Sequence, residues 1–164
     1  MTCNQRIAAR TLLLARCPHI IQTGLNVMVG MGGRMKRIIV QPEKCTGCRL
    51  CQLTCSAQNF QLNTHKSARI GIVPRFPEGF FEVHLCNQCG TCLSVCPVGA
   101  ISVEPSGAYV IDEAMCINCG TCVDACPQGA IFKSPARACP YMCNLCGACV
   151  PNCTSGALSW EAEP

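Results

Sequence analysis

The sequence predicts an α+β fold of duplicated small modules, in which short β-hairpins and short helices surround groups of thiolates. Three observations predict it. Four stretches carry cysteines at one and the same spacing. Two of them repeat at an interval of thirty residues, Cys86 to Cys116, as duplicated modules do. The chain is also poor in core-filling aromatics: of 164 residues five are Phe, two Tyr and one Trp, against 19 cysteines. Such richness means a disulfide scaffold, a metal protein or clusters. A bound group must then supply much of the folding free energy.

Residues 1–34 differ from the rest. They hold Arg6, Arg10, Arg16 and Arg34 and no acidic residue, and they end in Met31-Gly32-Gly33-Arg34-Met35. A Gly-Gly codon pair can contain a ribosome-binding sequence, so Met35 is expected to be the true start. Residues 1–34 are then a disordered or mis-assigned extension ahead of a domain spanning 35–164. An Arg-rich organelle transit segment is the alternative. Cys3 and Cys17 lie here and receive no role.

Lys36-Arg37-Ile38-Ile39-Val40 reads as a short strand leading into the first run, Cys45, Cys48, Cys51 and Cys55, after which Ser56 follows. The first third is basic, through Lys36, Arg37, Lys44, Arg49, Lys66, Arg69 and Arg75, and is expected to be a solvated surface that balances cluster charge. Within an insert at 61–85, Arg69-Ile70-Gly71-Ile72-Val73 and Phe80-Phe81-Glu82-Val83-His84-Leu85 form a hairpin with a loose loop from Pro74 to Gly79. His84 is expected to be an ordinary strand histidine; His19 and His65 carry no signal.

The second run, Cys86, Cys89, Cys92 and Cys96, and the third, Cys116, Cys119, Cys122 and Cys126, each end in proline, Pro97 and Pro127. This is Cys-x2-Cys-x2-Cys-x3-Cys-Pro, the bacterial-ferredoxin spacing for a cubane iron–sulfur cluster. Three thiolates wrap one corner of the cube, and the fourth ligates the other cluster. The inner sites are therefore Cys86, Cys89 and Cys92 with Cys126, and Cys116, Cys119 and Cys122 with Cys96. Between the runs, Ala100-Ile101-Ser102-Val103-Glu104 and Ala108-Tyr109-Val110-Ile111-Asp112 flank Pro105-Ser106-Gly107 as a short hairpin. The inner core spans about 81–133, and residues 133–137 read as a linker.

The last run is Cys143, Cys146, Cys149 and Cys153, followed by Thr154. Cys139 precedes it and is left without a role, because the spacing is already complete. The outer pair of sites is drawn from 36–60 and 139–160. Crossing over in the same way, it would be Cys45, Cys48 and Cys51 with Cys153, and Cys143, Cys146 and Cys149 with Cys55. The competing arrangement pairs the first run with the second and the third with the fourth; the spacing leaves both open. Gly47, Gly90, Gly120 and Gly147 mark tight turns between first and third cysteines, and Trp160 packs the terminus.

Zinc sites join two Cys-x2-Cys pairs a dozen or more residues apart, so the third and fourth cysteine of every run favours clusters over zinc. The formal charge of +4 counts the ligands as neutral. Deprotonated ligands on four oxidised cubanes bring it to about −4, which makes a nucleic-acid reading from charge weak. The most apolar early stretch, Ile20 to Met31, is too short and too polar to cross a membrane. With no export signal read, the thiols are expected in a reducing cytoplasm. No nucleotide loop and no Ser/His/Asp set is present.

Together, Lys44-Cys45-Thr46-Gly47-Cys48, the repeated Cys-Pro-x-Gly-Ala-Ile, and Met142-Cys143-Asn144-Leu145-Cys146 ahead of Gly156-Ala157-Leu158 resemble a known family. It is that of the four-cluster ferredoxin-like subunits of molybdenum and tungsten oxidoreductases, and the resemblance covers roughly Lys36 to Trp160. The family implies four 4Fe-4S clusters, with an inner two-cluster core nested in an outer pair. Only Gly147-Ala148 stands where many relatives carry a longer insert, and Thr154 replaces proline. This compact form is similar to the small subunit of tungsten aldehyde oxidoreductases. The resemblance implies a non-catalytic subunit relaying single electrons to or from a larger tungsten- or molybdenum-pterin subunit, with aldehyde oxidation as the leading substrate chemistry and a flavin subunit at the other end. A free-standing polyferredoxin shuttle and a metal-bound structural module are the alternatives.

Overall fold

Each Cys-x2-Cys-x2-Cys segment is a loop that turns twice through left-handed backbone. In the second, third and fourth runs the first such residue is not glycine (Gln88, φ 58°; Asn118, φ 54°; Leu145, φ 56°) and the second is (Gly90, Gly120, Gly147). The first run reverses the order, with Gly47 at φ 71° and Arg49 at φ 60°. A non-glycine residue in this region is strained. Arg49→Gly is therefore expected to stabilise the folded chain by up to about 1 kcal/mol, after the entropy that glycine adds to the unfolded state. Anaerobic thermal melting checks this, and a lowered midpoint would contradict it.

The computed structural model describes residues 37–161. The Met35 start, the extension at 1–34, Lys36, Cys3 and Cys17 lie outside them. The strands are β1 (Ile38–Val40), β2 (Gly71–Arg75), β3 (Phe80–His84), β4 (Ile101–Val103), β5 (Tyr109–Ile111), β6 (Ile131–Phe132), β7 (Tyr141–Met142) and β8 (Leu158–Trp160). They pair as four two-stranded antiparallel sheets: β1 with β8, β2 with β3, β4 with β5 and β6 with β7. The β1–β8 register sets Ile38 opposite Trp160 and Val40 opposite Leu158, so the two ends of the described chain close on each other.

Helices begin one residue before the third cysteine of three runs and contain it: α1 (Leu50–Phe60), α2 (Thr91–Val95) and α3 (Thr121–Asp124). Their lengths follow from the residue after the fourth cysteine. Pro97 drives Cys96 into extended backbone (φ −75°, ψ 113°) and stops α2. Ser56 imposes no such stop, and α1 runs on to Phe60. The fourth run forms no helix; Pro151 lacks a backbone donor there, and single turns such as Val150 N–H to Gly147 O (3.0 Å) replace it.

The hairpin in the insert differs from the expected one. β2 begins two residues later and runs through Pro74, which faces Phe81 across the sheet. A two-stranded ribbon has an open edge on both strands, so proline is tolerated. The loop shrinks to residues 76–79, closed by Gly79 N–H donating to Arg75 O at 2.9 Å. The expected linker at 133–137 is anchored: Arg137 pairs with Glu113 at 2.5 Å and lies over the Phe60 ring, 4.5 Å from its centre.

Buried apolar residues are few and interleave with cysteines. Ile70, Leu85, Ile101, Ala130, Ile131, Met142 and Leu158 join Cys51, Cys55, Cys86, Cys92, Cys122, Cys143 and Cys149 in one cluster. Sulfur thus occupies positions that aliphatic side chains fill in an ordinary core.

Candidate iron–sulfur centres

The loops bury their third cysteine and expose their second, while of the first cysteines Cys86 and Cys143 are buried and Cys45 and Cys116 half-buried. Cys51, Cys86, Cys92, Cys122, Cys143 and Cys149 are buried, while Cys48, Cys89, Cys119 and Cys146, the second of each run, are exposed. Three cavities open between runs. One is lined by Cys45, Cys48, Cys51 and Cys153, with Ile72, Val83 and Leu158. A second is lined by Cys86, Cys89, Cys92 and Cys126 with Tyr109 and Ile131. A third is lined by Cys96, Cys116, Cys119 and Cys122 with Ile101 and Ile111. The four remaining run cysteines gather at α1. The Asn59 amide lies 3.6 Å from Cys55 Sγ and 3.7 Å from Cys146 Sγ, and Cys143 and Cys149 both feel the thiolates of Cys55 and Cys146. Cys139 is buried but lines none of the three cysteine cavities.

Among the described residues no three Cys, His, Asp or Glu side chains converge on a single ion. The thiols stand around apolar-walled spaces instead, a donor set suited to a sulfide-bridged cluster with soft thiolate ligands.

Donors aim at the sulfurs. Ala100 N–H donates to Cys96 Sγ at 3.3 Å and Ala130 N–H to Cys126 Sγ at 3.4 Å. This gives the repeated Cys-Pro-x-Gly-Ala its purpose: Gly99 (φ 64°) and Gly129 (φ 54°) turn the chain so that the alanine amide reaches back. The hydroxyls of Thr91 and Thr121 lie 3.3 Å and 3.4 Å from Cys89 and Cys119 Sγ. Sequence reasoning missed both threonines, although the shared Cys-Gly-Thr of the inner runs was a visible signal. It missed Gln88 as well, which is 2% exposed. Its amide donates to Cys143 O at 3.2 Å and accepts from Tyr109 N at 3.0 Å, tying the second run to the fourth. His84 sits on β3, its Nδ1 2.9 Å from Gln128 O; a carbonyl only accepts, so Nδ1 carries the proton. Trp160 lies against Gly147, where a side chain would overlap the indole.

Burial pushes the Cys51, Cys143 and Cys149 thiols up to about 12 and Cys92 to about 11, and neighbouring thiolates add to the rise. At the exposed Cys89 and Cys119 the threonine hydroxyls pull the pKa down. Ligands must be deprotonated, so metal has to displace protons from the buried thiols. Loading releases protons, and iron uptake by the cluster-free chain is expected to fall between about pH 8 and about pH 6. Iron bound per chain after anaerobic reconstitution measures it; equal uptake at both would contradict the account.

The chain matches a family model described as a 4Fe-4S dicluster domain over residues 85–130, a second such model over 108–154, and a 4Fe-4S binding domain over 42–58. It is 42% identical over 79 residues to the aliphatic sulfonate oxidoreductase polyferredoxin-like subunit of Pyrococcus furiosus, covering 46% of this chain and 45% of that protein. The chain thus spans less than half the length of that relative. It is 31% identical over 80 residues to pyruvate synthase subunit PorD of Thermotoga maritima, covering 49% of this chain and 70% of that one. A solved structure of the BamBC active-site complex of benzoyl coenzyme A reductase with benzoyl-CoA aligns at 23% identity and a TM-score of 0.44, covering 79% of this chain and 82% of the other. No helix among the described residues is long and apolar enough to cross a membrane. The chain belongs to the 4Fe-4S dicluster family of iron–sulfur proteins and holds multiple 4Fe-4S clusters.

Proposed function

We propose that the chain is a non-catalytic electron-transfer subunit with four 4Fe-4S clusters, serving a larger oxidoreductase subunit in the cytoplasm. The ligand sets are Cys45, Cys48, Cys51 and Cys153; Cys143, Cys146, Cys149 and Cys55; Cys86, Cys89, Cys92 and Cys126; and Cys116, Cys119, Cys122 and Cys96. Bound there, such clusters accept and release one electron each. The observation that carries the reading is the division of the cysteines into quartets that adjoin one another. Cys51 acts electrostatically on Cys149, Cys86 acts on Cys143, and the inner runs exchange Cys96 and Cys126 between their cavities. That series supports two adjoining pairs, nested in sequence but side by side in space, in an order running from the Cys45 set through the Cys143 and Cys86 sets to the Cys116 set. The second dicluster match spans the third and fourth runs, as the competing pairing would have it; the cavity linings favour the crossover. The polypeptide's own part is to hold each sulfur, to supply amide and hydroxyl donors, and to keep apolar walls around the set.

For the partner, the resemblance of the cysteine framework favours a tungsten- or molybdenum-pterin subunit that oxidises aldehydes, with a flavin subunit at the far end. The name of the Pyrococcus relative favours a second reading, an aliphatic sulfonate as substrate. The native protein, purified anaerobically from its own cells, is expected to elute from gel filtration with a larger chain and with tungsten or molybdenum in the same peak. An aldehyde should then bleach the clusters' visible absorption. Bleaching by an aliphatic sulfonate instead would favour the second reading. Elution as a single small chain without either metal would indicate a free shuttle, and absence of reversible reduction would indicate a structural module.

A further inference from the structure

The basic first third of the chain is not a uniform solvated surface. Arg69 lies half-buried at the junction of the first and fourth runs. Its backbone N–H donates to Cys55 Sγ at 3.2 Å, and its guanidinium donates to the carbonyl of Met142, the residue before Cys143, at 2.7 Å. The guanidinium carbon stands 5.1 Å from the centre of the Phe60 ring. Its Nε is buried with no hydrogen-bond partner. Among the described residues the ion pairs are Arg75 with Glu82 and Arg137 with Glu113, His84 Nε2 lies 3.6 Å from Glu82, and none of these involves Arg69. A permanently charged group that is partly buried, with one N–H shut from water and no carboxylate beside it, is costly unless another anion faces it.

We propose that Arg69 is a positioning and tuning residue whose fixed positive charge raises the reduction potential of the centre formed by Cys143, Cys146, Cys149 and Cys55. The inference rests on the ligand set assigned above. A reduced cluster carries one more negative charge than an oxidised one, so a nearby cation stabilises the reduced state more. Partial burial and the tether to Met142 reduce the screening of that cation and fix its place. At Cys55 itself, burial raises the thiol pKa, while the Arg69 N–H and the guanidinium charge pull against it. Guanidinium stays protonated at all ordinary pH, so the bias is constant.

The test is a redox titration followed by EPR on the complete chain, purified anaerobically, in Arg69→Gln, Arg69→Met and Arg69→Lys. Both charge-removing variants should move one midpoint in the negative direction by at least tenfold in the reduction equilibrium, about 59 mV for one electron. Arg69→Lys should keep most of the wild-type value, and the other midpoints should stay. Unchanged midpoints in Arg69→Gln and Arg69→Met, with iron content intact, would overturn the proposal. So would Arg69→Lys shifting as far as they do, or loss of that centre's iron in both charge-removing variants, since either means a structural role. Cys146→Ala separates the underlying assignment: it should abolish the same signal that Arg69→Gln moves. A moved signal that survives Cys146→Ala would mean that the ligand set, not the cation's effect, is wrong.

Discussion

Cys153→Ala is expected to empty the site whose other ligands, Cys45, Cys48 and Cys51, come from the opposite end of the described chain. Iron should fall from about 16 to about 12 per chain, one cubane's worth. The signal lost should be the one that Cys48→Ala also removes, and Cys146→Ala should remove a different one. The reason is the shared cavity, lined by Cys45, Cys48, Cys51 and Cys153 and closed by the β1–β8 pairing. The competing arrangement, in which the third and fourth runs pair, predicts the opposite grouping: Cys153→Ala would then act with the third run. Anaerobic EPR of the three variants decides between them. Because the site joins both ends, its loss should also lower the thermal midpoint more than removal of an exposed side chain would.

Gly47→Ala is expected to cost on the order of 2–5 kcal/mol, the sum of left-handed strain and overpacking. At φ 71° a β-carbon would overlap the ring of Phe81. Gly79 is the internal control. It has nearly the same backbone, φ 76°, but open space where its β-carbon would go. Gly79→Ala should therefore cost only about 1 kcal/mol, the backbone part alone. The difference isolates the ring contact between the first cysteine loop and β3. The temperature at which cluster absorption bleaches, compared across both variants, measures it. Equal shifts would mean that Phe81 moves aside freely.

The cysteine runs and their turns were legible because cluster ligation demands fixed spacing and because proline and glycine act locally. Pro97 ends α2 where the chain reads Cys96-Pro97, and Gly107 closes the β4–β5 hairpin through its N–H to Glu104 O at 2.8 Å. Strand β1 and the β4–β5 hairpin follow from short apolar runs between such stops. The length of α1 was implicit in Ser56, which stands where the inner runs have proline, but its consequence appears only once the helix carries Asn59 and Phe60 to other parts of the fold. What could not be read were side chains whose meaning is long-range. Arg69 looked like one of seven cations on a basic face; only its contacts with Cys55 and with Met142, far along the chain, set it apart. Gln88 looked like a polar filler between two cysteines, yet it is buried against the fourth run. Neither composition nor periodicity records a contact between distant segments.

The central claim is that these cysteines hold four cubanes. The most direct measurement is iron and acid-labile sulfide per chain on protein purified without oxygen, with EPR after dithionite reduction. The account predicts about 16 of each and signals from reduced 4Fe-4S clusters. Zinc in place of iron, with no sulfide and no reducible signal, would contradict it.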